Sequence, residues 1–228
     1  MSRDSRGTRW CVNLLAPPGV YAPQEDTELL TEALADEPVP AGAEVLDVGT
    51  GSGALALAAA RRGLRVTAVD VSRRAVWATR LNSRRARVPV RVCHGNLFTP
   101  VADRTFDLIL ANPPYVPAPA DGELPRGPAR AWDAGGDGRL VLDRLCVQAP
   151  ERLRPGGVLL LVQSALSAPE ATVGLLRPAG LKAAVTRRRR IAFGPVLRSR
   201  ADWLRERGLL PASEDTEELV VIRAELPV

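Results

Sequence analysis

Asp47-Val48-Gly49-Thr50-Gly51-Ser52-Gly53 is the stretch that decides the fold of this chain. The apolar run Ala43–Val48 has the length of a buried strand, and the alanine- and leucine-rich run Ala54–Ala60 is typical of a helix. A strand, a glycine turn and a helix form half of a Rossmann-type unit. The glycines let the backbone turn sharply and approach a ligand, which the N-terminus of the helix then faces.

Composition places the chain among globular proteins with one domain. Its 228 residues, 46% hydrophobic and 25% charged, are enough to bury a sizeable core. We expect residues 1–18 to be irregular and residues 19–228 to form a single domain without repeats or a linker. Residues 1–9 are polar and lack the apolar region of a signal peptide, and no uncharged stretch reaches transmembrane length. Contact with a membrane is therefore not expected.

The cysteine and histidine content argues against a metal centre. Cys11, Cys93 and Cys146 show no short pair spacing, and His94 is the single histidine. Scattered cysteines fit a reducing compartment, so we expect a cytoplasmic location. The net charge is +5, yet only one of the 31 basic residues is lysine, which indicates general arginine enrichment as much as anion binding. The run Arg187–Arg190 fits a solvated strand end slightly better than a phosphate site.

Seven apolar runs predict strands that alternate with helical patterns. The predicted strands are Ala43–Val48, Arg65–Val69, Val88–Cys93, Phe106–Ala111, Val158–Val162, Leu181–Val185 and Glu218–Ala224. The predicted helices are Ala54–Ala60, one capped by Asp26 or Thr27, Ser72–Ala86, Leu140–Leu153 capped by Asp137, and Pro169–Leu176. Phe193–Pro195 and Ala201–Arg207 are expected to form an excursion before the final strand. This order predicts an α/β, Rossmann-like fold: a mostly parallel seven-stranded sheet with helices on both faces and an antiparallel final strand.

Two aspartates, Asp47 and Asp70, indicate which class of ligand the glycine turn binds. Asp70 ends the second strand, 23 residues after Asp47, where an acid accepts both ribose hydroxyls of an adenosine. Read alone, Asp70 fits a helix cap near Ser72 equally well. Gly49–Ala54 also satisfies the G-x-G-x-x-G/A pattern of nicotinamide enzymes, but the Asp47 carboxylate would repel a pyrophosphate and attract an ammonium group. An ammonium, an adenosine and a glycine turn together describe S-adenosylmethionine.

A second group of candidates follows the third and fourth strands. Asn96 and Leu97 are placed to bond the adenine amine and to cover its ring, although a plain loop asparagine is an equal alternative. Asn112-Pro113-Pro114-Tyr115 ends the fourth strand with two prolines, which cannot continue a strand ladder. By itself this run also fits an ordinary Pro-Pro turn. The long segment 116–136 contains Trp132, and a loop of such length is typical of a substrate lid.

Taken together, these residues resemble the class I S-adenosylmethionine-dependent methyltransferases, and among them the HemK/PrmC-type glutamine methyltransferases. The shorter branch, found with eukaryotic and archaeal release factors, is the most similar. The resemblance covers nearly the whole chain from residue 19. It is carried by Val20-Tyr21-Ala22-Pro23-Gln24-Glu25-Asp26-Thr27, Asp47–Gly53, Asp70, Asn112–Tyr115, Trp132, Gly135-Gly136 and the final strand.

The resemblance implies a set of site residues. The cofactor contacts are Thr27, Asp47, Gly49, Thr50, Gly51, Asp70, Val71, Asn96, Leu97 and Asn112. The catalytic turn is Asn112, Pro113, Pro114 and Tyr115, and the substrate contacts are Tyr21, Pro113, Tyr115 and Trp132. The chain departs from the family in having Asn96 where an acid is usual, and in lacking the N-terminal recognition bundle of the longer bacterial branch.

Three functions are consistent with the catalytic turn. Asn112 Oδ1 and the Pro113 carbonyl can each accept one N–H of a planar NH₂ group, which fits a glutamine amide and an exocyclic amine of a nucleic acid or small molecule alike. We favour a protein glutamine, with a release factor as partner and a small activating subunit as in related eukaryotic enzymes. A nucleic-acid enzyme usually needs base-flipping apparatus, for which 228 residues leave little room. A non-catalytic cofactor-binding module is the third hypothesis, and the intact catalytic turn argues against it.

Overall fold

The computed structural model describes residues 14–119 and 127–228, without the side chains of residues 128 and 130. Most of the predicted irregular segment 1–18 and the middle of the long loop lie outside the described residues. Among the described residues, no helix has the length and apolarity needed to cross a membrane.

A single seven-stranded sheet confirms the predicted architecture. Its strands are β1 Glu44–Val48, β2 Arg65–Asp70, β3 Val90–His94, β4 Phe106–Ala111, β5 Leu153–Ser164, β6 Lys182–Ala192 and β7 Thr216–Glu225. The spatial order is β3-β2-β1-β4-β5-β7-β6, and β7 runs antiparallel to both of its neighbours while the other pairs are parallel. The order reverses between β1 and β4, and the crevice beyond their carboxyl ends is where open α/β sheets bind ligands.

Helices cover both faces of the sheet. They are α1 Glu25–Asp36, α2 Ala54–Arg61, α3 Arg73–Ala86, α4 Leu142–Gln148, α5 Pro169–Leu176 and α6 Pro195–Glu206. On one side α1 packs against α2 and α2 against α3, whereas α4 packs against α5. Central strands are therefore buried on both faces, and Leu108, Ile109 and Leu110 of β4 are fully buried. This core holds the ends of β1, β2 and β4 rigidly in register.

Two predicted helix starts were wrong, and one helix is shorter than predicted. The residue before α1 is Gln24, so Asp26 and Thr27 lie buried inside the first turn and do not cap it. The fourth helix begins at Leu142, and Asp137 accepts a hydrogen bond from the backbone N–H of Arg139 in the preceding turn. This helix ends at Gln148, because Pro150 starts a 3₁₀ turn and has no N–H to continue the helix.

The arginine run extends a strand. β6 continues to Ala192, seven residues beyond the predicted end, and its side chains alternate between more and less exposed positions. Arg187 forms an ion pair with Asp36, and Arg189 contacts Glu32 of α1 at 2.7 Å. Arg187 and Arg189 therefore join α1 to the sheet, whereas Arg188 and Arg190 are exposed to solvent, as predicted, but inside the strand and not at its end.

Candidate functional site

A cavity of about 870 Å³ opens at the carboxyl ends of β1, β2 and β4. Most of the predicted site residues line it. They are Tyr21, Gly49, Gly51, Asp70, Val71, Asn96, Leu97, Asn112, Pro113, Pro114, Tyr115 and Trp132. Thr27, Asp47 and Thr50 are buried behind the wall of the cavity and do not line it. The cavity therefore has a glycine-loop end and an Asn112 end, which the junction of β1 and β4 brings side by side.

The glycine turn leaves an open space, here called the glycine cradle, that the side chains of other residue types would fill. Gly49 has a φ of +74°, and a Cβ added there would meet no atom within 4 Å, so the space in front of it is open. The Gly51 N–H donates to the Asp70 carboxylate at 2.9 Å. Gly53 packs so tightly that a Cβ would lie 2.8 Å from Thr79 Cγ2. Positive φ angles and close approach thus explain why glycine occupies these positions.

Asp47 carries a buried oxygen that lacks a partner. Its Oδ2 accepts hydrogen bonds from the Thr50 hydroxyl at 2.6 Å and from the Ala56 N–H at 3.1 Å. Its Oδ1 is buried without a hydrogen bond. Burial raises the pKa of the Asp47 carboxyl to about 7, and these two hydrogen bonds oppose the rise. An unpaired acceptor next to the glycine cradle suits an ammonium group of a ligand.

Asp70 fixes both the glycine turn and the start of α3. Its Oδ2 accepts from the Gly51 N–H and its Oδ1 from the Ser72 N–H at 2.8 Å. Burial raises the pKa of this carboxyl, while the same hydrogen bonds lower it. The alternative that Asp70 caps the following helix is wrong, because the residue that caps α3 is Ser72. Each carboxylate oxygen retains acceptor capacity toward the cavity, where ribose hydroxyls would be donors.

The Asn112 turn is held on both sides. Asn112 Nδ2 donates to Thr27 Oγ1 at 3.3 Å, which leaves Oδ1 to accept from a ligand. The Tyr115 carbonyl accepts from the Ser167 hydroxyl at 2.5 Å. A Cβ at Gly138 would lie only 2.3 Å from that carbonyl, so the backbone there requires glycine. The Thr27 contact therefore orients the Asn112 amide, and the contacts of the Tyr115 carbonyl fix the backbone of the turn.

Asp26 connects the N-terminal motif to the catalytic turn, a role that the sequence analysis missed. The Tyr21 hydroxyl donates to Asp26 Oδ2 at 2.6 Å and the Tyr115 hydroxyl at 2.8 Å. The N–H and hydroxyl of Thr27 both donate to Asp26 Oδ1, at 2.5 Å and 3.1 Å. Burial and the nearby Asp26 charge raise the pKa of Tyr115 and of Tyr21, so both phenols stay protonated. The sequence feature that could have indicated this role is the Tyr-x-Pro-x-Glu-Asp-Thr run, in which Tyr21 precedes Asp26 by five residues.

Glu217 is a second residue that the sequence analysis missed. Because β7 is antiparallel, its first residues reach the same sheet edge as the last residues of β4 and β5. The side chain lines the cavity, is 7% exposed, and its Oε1 is buried without a hydrogen-bond partner. Burial raises the pKa of Glu217 to about 7, Ser164 lowers it, and the charge of Asp26 raises it further. The available signal was an acid at the start of the strand, directly before its apolar run Leu219–Ile222.

The two ends of the long loop are joined at its base. The Val116 N–H donates to the Trp132 carbonyl at 2.9 Å, and the Ala134 N–H donates to the Val116 carbonyl at 3.1 Å. Arg200 of α6 forms an ion pair with Asp133 at 2.5 Å. Trp132 is therefore fixed at the rim of the cavity, beside the Asn112 turn. The part of the loop from 120 to 126 lies outside the described residues.

The acidic side chains of the site do not form a cluster of metal ligands. Within residues 14–119 and 127–228, no group of three or more histidine, cysteine, aspartate or glutamate side chains could hold a metal ion. The site is instead built from backbone amides, buried carboxylates and a planar amide.

Comparison with known proteins gives a consistent family. Residues 12–122 match the family model of the methyltransferase small domain. The chain is 34% identical over 183 residues to a putative protein N5-glutamine methyltransferase of Methanocaldococcus jannaschii, covering 80% of this chain and 91% of that protein. It is 35% identical over 177 residues to the release factor glutamine methyltransferase of Geobacter sulfurreducens, covering 74% of this chain and 61% of that protein.

A solved structure shares the fold. The E. cuniculi Mtq2-Trm112 complex, described as responsible for methylation of the eRF1 translation termination factor, superposes with a TM-score of 0.62 at 23% identity. The match covers 91% of this chain and 98% of that chain. The match to the archaeal protein spans nearly all of that relative, whereas the chain spans about three fifths of the Geobacter enzyme. The chain therefore belongs to the S-adenosylmethionine-dependent protein N5-glutamine methyltransferases, of the HemK/PrmC type.

Proposed function

We propose that this chain, acting through residues 19–228 as one domain, methylates the side-chain amide of a glutamine in a peptide-chain release factor. The observation that carries the proposal is the Asn112 amide. Its Nδ2 donates to Thr27 Oγ1, which leaves Oδ1 to accept from a ligand, and the residue lines the cavity next to the glycine cradle. A hydrogen-bond acceptor fixed in this way orients a planar NH₂ group, and family membership supports glutamine as the group that carries it.

The residues at the glycine-loop end fit S-adenosylmethionine. Asp47 would attract its ammonium group from behind the cavity wall, Asp70 would accept from its ribose hydroxyls, and Asn96 and Leu97 would contact its adenine. The open space at Gly49 lets the cofactor approach the backbone of the glycine turn. The bound cofactor supplies an electrophilic methyl group. Thr27 and Thr50 act on this site from behind, because they bond Asn112 and Asp47 and do not line the cavity.

At the other end, the chain positions a poor nucleophile. An amide nitrogen has a delocalised lone pair, so it reacts only when it is held in line with the methyl group. Asn112 Oδ1 and the Pro113 carbonyl would each accept one of its N–H groups, and Tyr115 and Trp132 would confine its plane. Positioning by fixed dipoles is worth several kcal/mol in such a site.

Cofactor binding is tested by thermal unfolding. S-adenosylmethionine should raise the melting temperature and nicotinamide dinucleotides should not, because only a ligand of the folded state stabilises it. Asp70→Ala should weaken S-adenosylmethionine binding about tenfold or more, through lost charge-assisted hydrogen bonds worth about 1.5–3 kcal/mol. Asp103→Ala, in the turn before β4 and outside the cavity, is the matched control. Stabilisation by a nicotinamide dinucleotide alone would overturn the cofactor assignment.

The protein substrate is supported by the relatives. Those from bacteria are named release factor glutamine methyltransferases, and the E. cuniculi neighbour was solved with Trm112. We propose a release factor as substrate, a small subunit as activator, and the cytoplasm as the place of action. A glutamine in a flexible, exposed glycine-rich loop can enter the cavity without unfolding its own protein. The alternative acceptor, an amine of nucleic acid or of a small molecule, is not favoured.

The experiment is a transfer assay with labelled S-adenosylmethionine. The acceptors are a release factor with a Gly-Gly-Gln loop, its Gln→Ala variant and an unmethylated DNA duplex, each with and without the candidate activating subunit. Label on the wild-type factor alone is the expected result. Label on the DNA, or equal label on the Gln→Ala variant, would contradict the proposal.

A further inference from the structure

Methylation of an amide nitrogen releases a proton. The nitrogen forms a bond to the methyl carbon with its own electron pair, and the pair that held the methyl group stays on the sulfur of the cofactor. The N–H bonding pair then returns to nitrogen, so that one proton must leave for each methyl group transferred. Asn112 Oδ1 and the Pro113 carbonyl are neutral amide oxygens, which orient the nitrogen but are too weakly basic to keep this proton.

Most ionisable groups around the cavity are already engaged. Asp26 accepts four hydrogen bonds, two on each oxygen. Tyr21 and Tyr115 donate to Asp26, and their raised pKa values exclude the phenolate form near neutral pH. Asp133 is paired with Arg200. The remaining ionisable side chains on the described wall are Asp70, which anchors the glycine turn at the opposite end, the cationic Arg73 and Arg74, and Glu217.

Glu217 stands apart from these groups. It reaches the Asn112 end from β7, beside Asp26 and the two tyrosines, and its Oε1 is buried with no partner. A buried carboxylate oxygen without a donor costs free energy, and a donor supplied by a substrate would offset that cost. We propose that the Glu217 carboxylate accepts the proton that the glutamine amide loses during methyl transfer. This inference rests on the proposed function.

The ionisation of Glu217 suits this role. Burial raises its pKa to about 7, close to working pH, where a proton acceptor is most effective. The titratable groups that face it are Asp26 of α1, Tyr21 from the segment before α1 and Tyr115 after β4. On β6 its partner is Ile191, and on β5 the neutral Ser164 lies next to it. Because Asp26 carries a charge of the same sign, it raises the pKa of Glu217 further.

The test compares Glu217→Gln with Glu218→Gln on the same strand. Glu218 forms an ion pair with Arg188 at 2.6 Å and does not line the cavity. With the release factor as acceptor, Glu217→Gln should lower kcat at least tenfold with little change in KM, and Glu218→Gln should match the wild type. In the wild type, kcat should fall with the ionised fraction of Glu217 as the pH drops below about 7. The Glu217→Gln variant should lose this dependence.

A second readout does not use activity. In cofactor-free protein with carbon-13-labelled glutamate carboxyls, one resonance should titrate near neutral pH and be missing from Glu217→Gln. A wild-type kcat that is flat from mildly acidic to neutral pH would overturn the inference even if the variant fails to fold. An active Glu217→Gln variant with an unchanged pH profile would overturn it as well. If the wild-type enzyme leaves the release factor unlabelled, the proposed function fails instead.

Discussion

Asn112→Ala should reduce turnover about a hundredfold or more, by analogy with the loss of one preorganised hydrogen-bonding group in other active sites. The substitution removes the Oδ1 that orients the acceptor nitrogen and leaves the prolines of the turn in place. The affinity for S-adenosylmethionine should fall much less, because most of the proposed contacts lie at the glycine-loop end. Single-turnover methylation and calorimetric binding of the cofactor separate the two effects.

Thr27 offers a graded control for Asn112. Thr27→Val removes the oxygen that accepts from Asn112 Nδ2, so the amide is free to rotate and turnover should fall by an intermediate factor. Thr27→Ser keeps the hydroxyl and should retain most activity. Near-normal turnover in Asn112→Ala would remove this side chain from the mechanism. Equal losses in the valine and serine variants would show that packing at Thr27, and not the hydrogen bond, matters.

Asp47→Asn should stabilise the cofactor-free protein above pH 7 and weaken S-adenosylmethionine binding by one to two orders of magnitude. Burial raises the pKa of Asp47 from its ordinary value of 3.8 to about 7, so the folded state holds the proton more tightly than the unfolded state. The cost of the buried charge therefore grows as the pH rises from about 4 to about 7 and is complete above that range. Removing the charge should return about 1–3 kcal/mol of unfolding free energy.

The pH dependence distinguishes this effect from general repacking. Chemical denaturation should show that Asp47→Asn is more stable than the wild type at about pH 8 and almost equally stable at about pH 4. At about pH 4, residue 47 is neutral in both folded proteins, because the Asp47 carboxyl of the wild type is protonated. The Asn side chain can still accept from the Thr50 hydroxyl and the Ala56 N–H, so the local fold is kept. Unchanged cofactor affinity in this variant would mean that the Asp47 charge does not act on the ammonium group.

The sheet was predictable because its signals are local. Glycines at 49, 51 and 53 with φ angles of +74°, +56° and +88° follow an apolar run, and few other arrangements accommodate such a pattern. Similarly, the prolines after Asn112 end β4 where the sequence indicates. Gly49, Asp70 and Asn112 lie at or directly after the ends of the adjacent parallel strands β1, β2 and β4, so their proximity follows from the topology.

What sequence reasoning missed depends on contacts between distant elements. The local pattern around Asp26 predicts a helix cap, since it does not reveal that Tyr115, 89 residues later, donates to this carboxylate. Glu217 reaches the site only because β7 inserts antiparallel between β5 and β6. Arg187 and Arg189 of β6 resemble residues of a strand end in the sequence because their acidic partners belong to α1, over 150 residues away. Contacts between residues so far apart in the chain produce no periodic sequence pattern from which they could be predicted.

The proposed role of the Asn112 turn is to direct methylation to the amide nitrogen of a protein glutamine. Tandem mass spectrometry of a release factor, after incubation with the enzyme and S-adenosylmethionine, tests it most directly. We expect one methyl group on the side-chain nitrogen of the glutamine in the Gly-Gly-Gln loop, with the Asn112→Ala enzyme leaving that residue unmodified. A methyl group on another residue type, or undiminished methylation of the glutamine by Asn112→Ala, would contradict it.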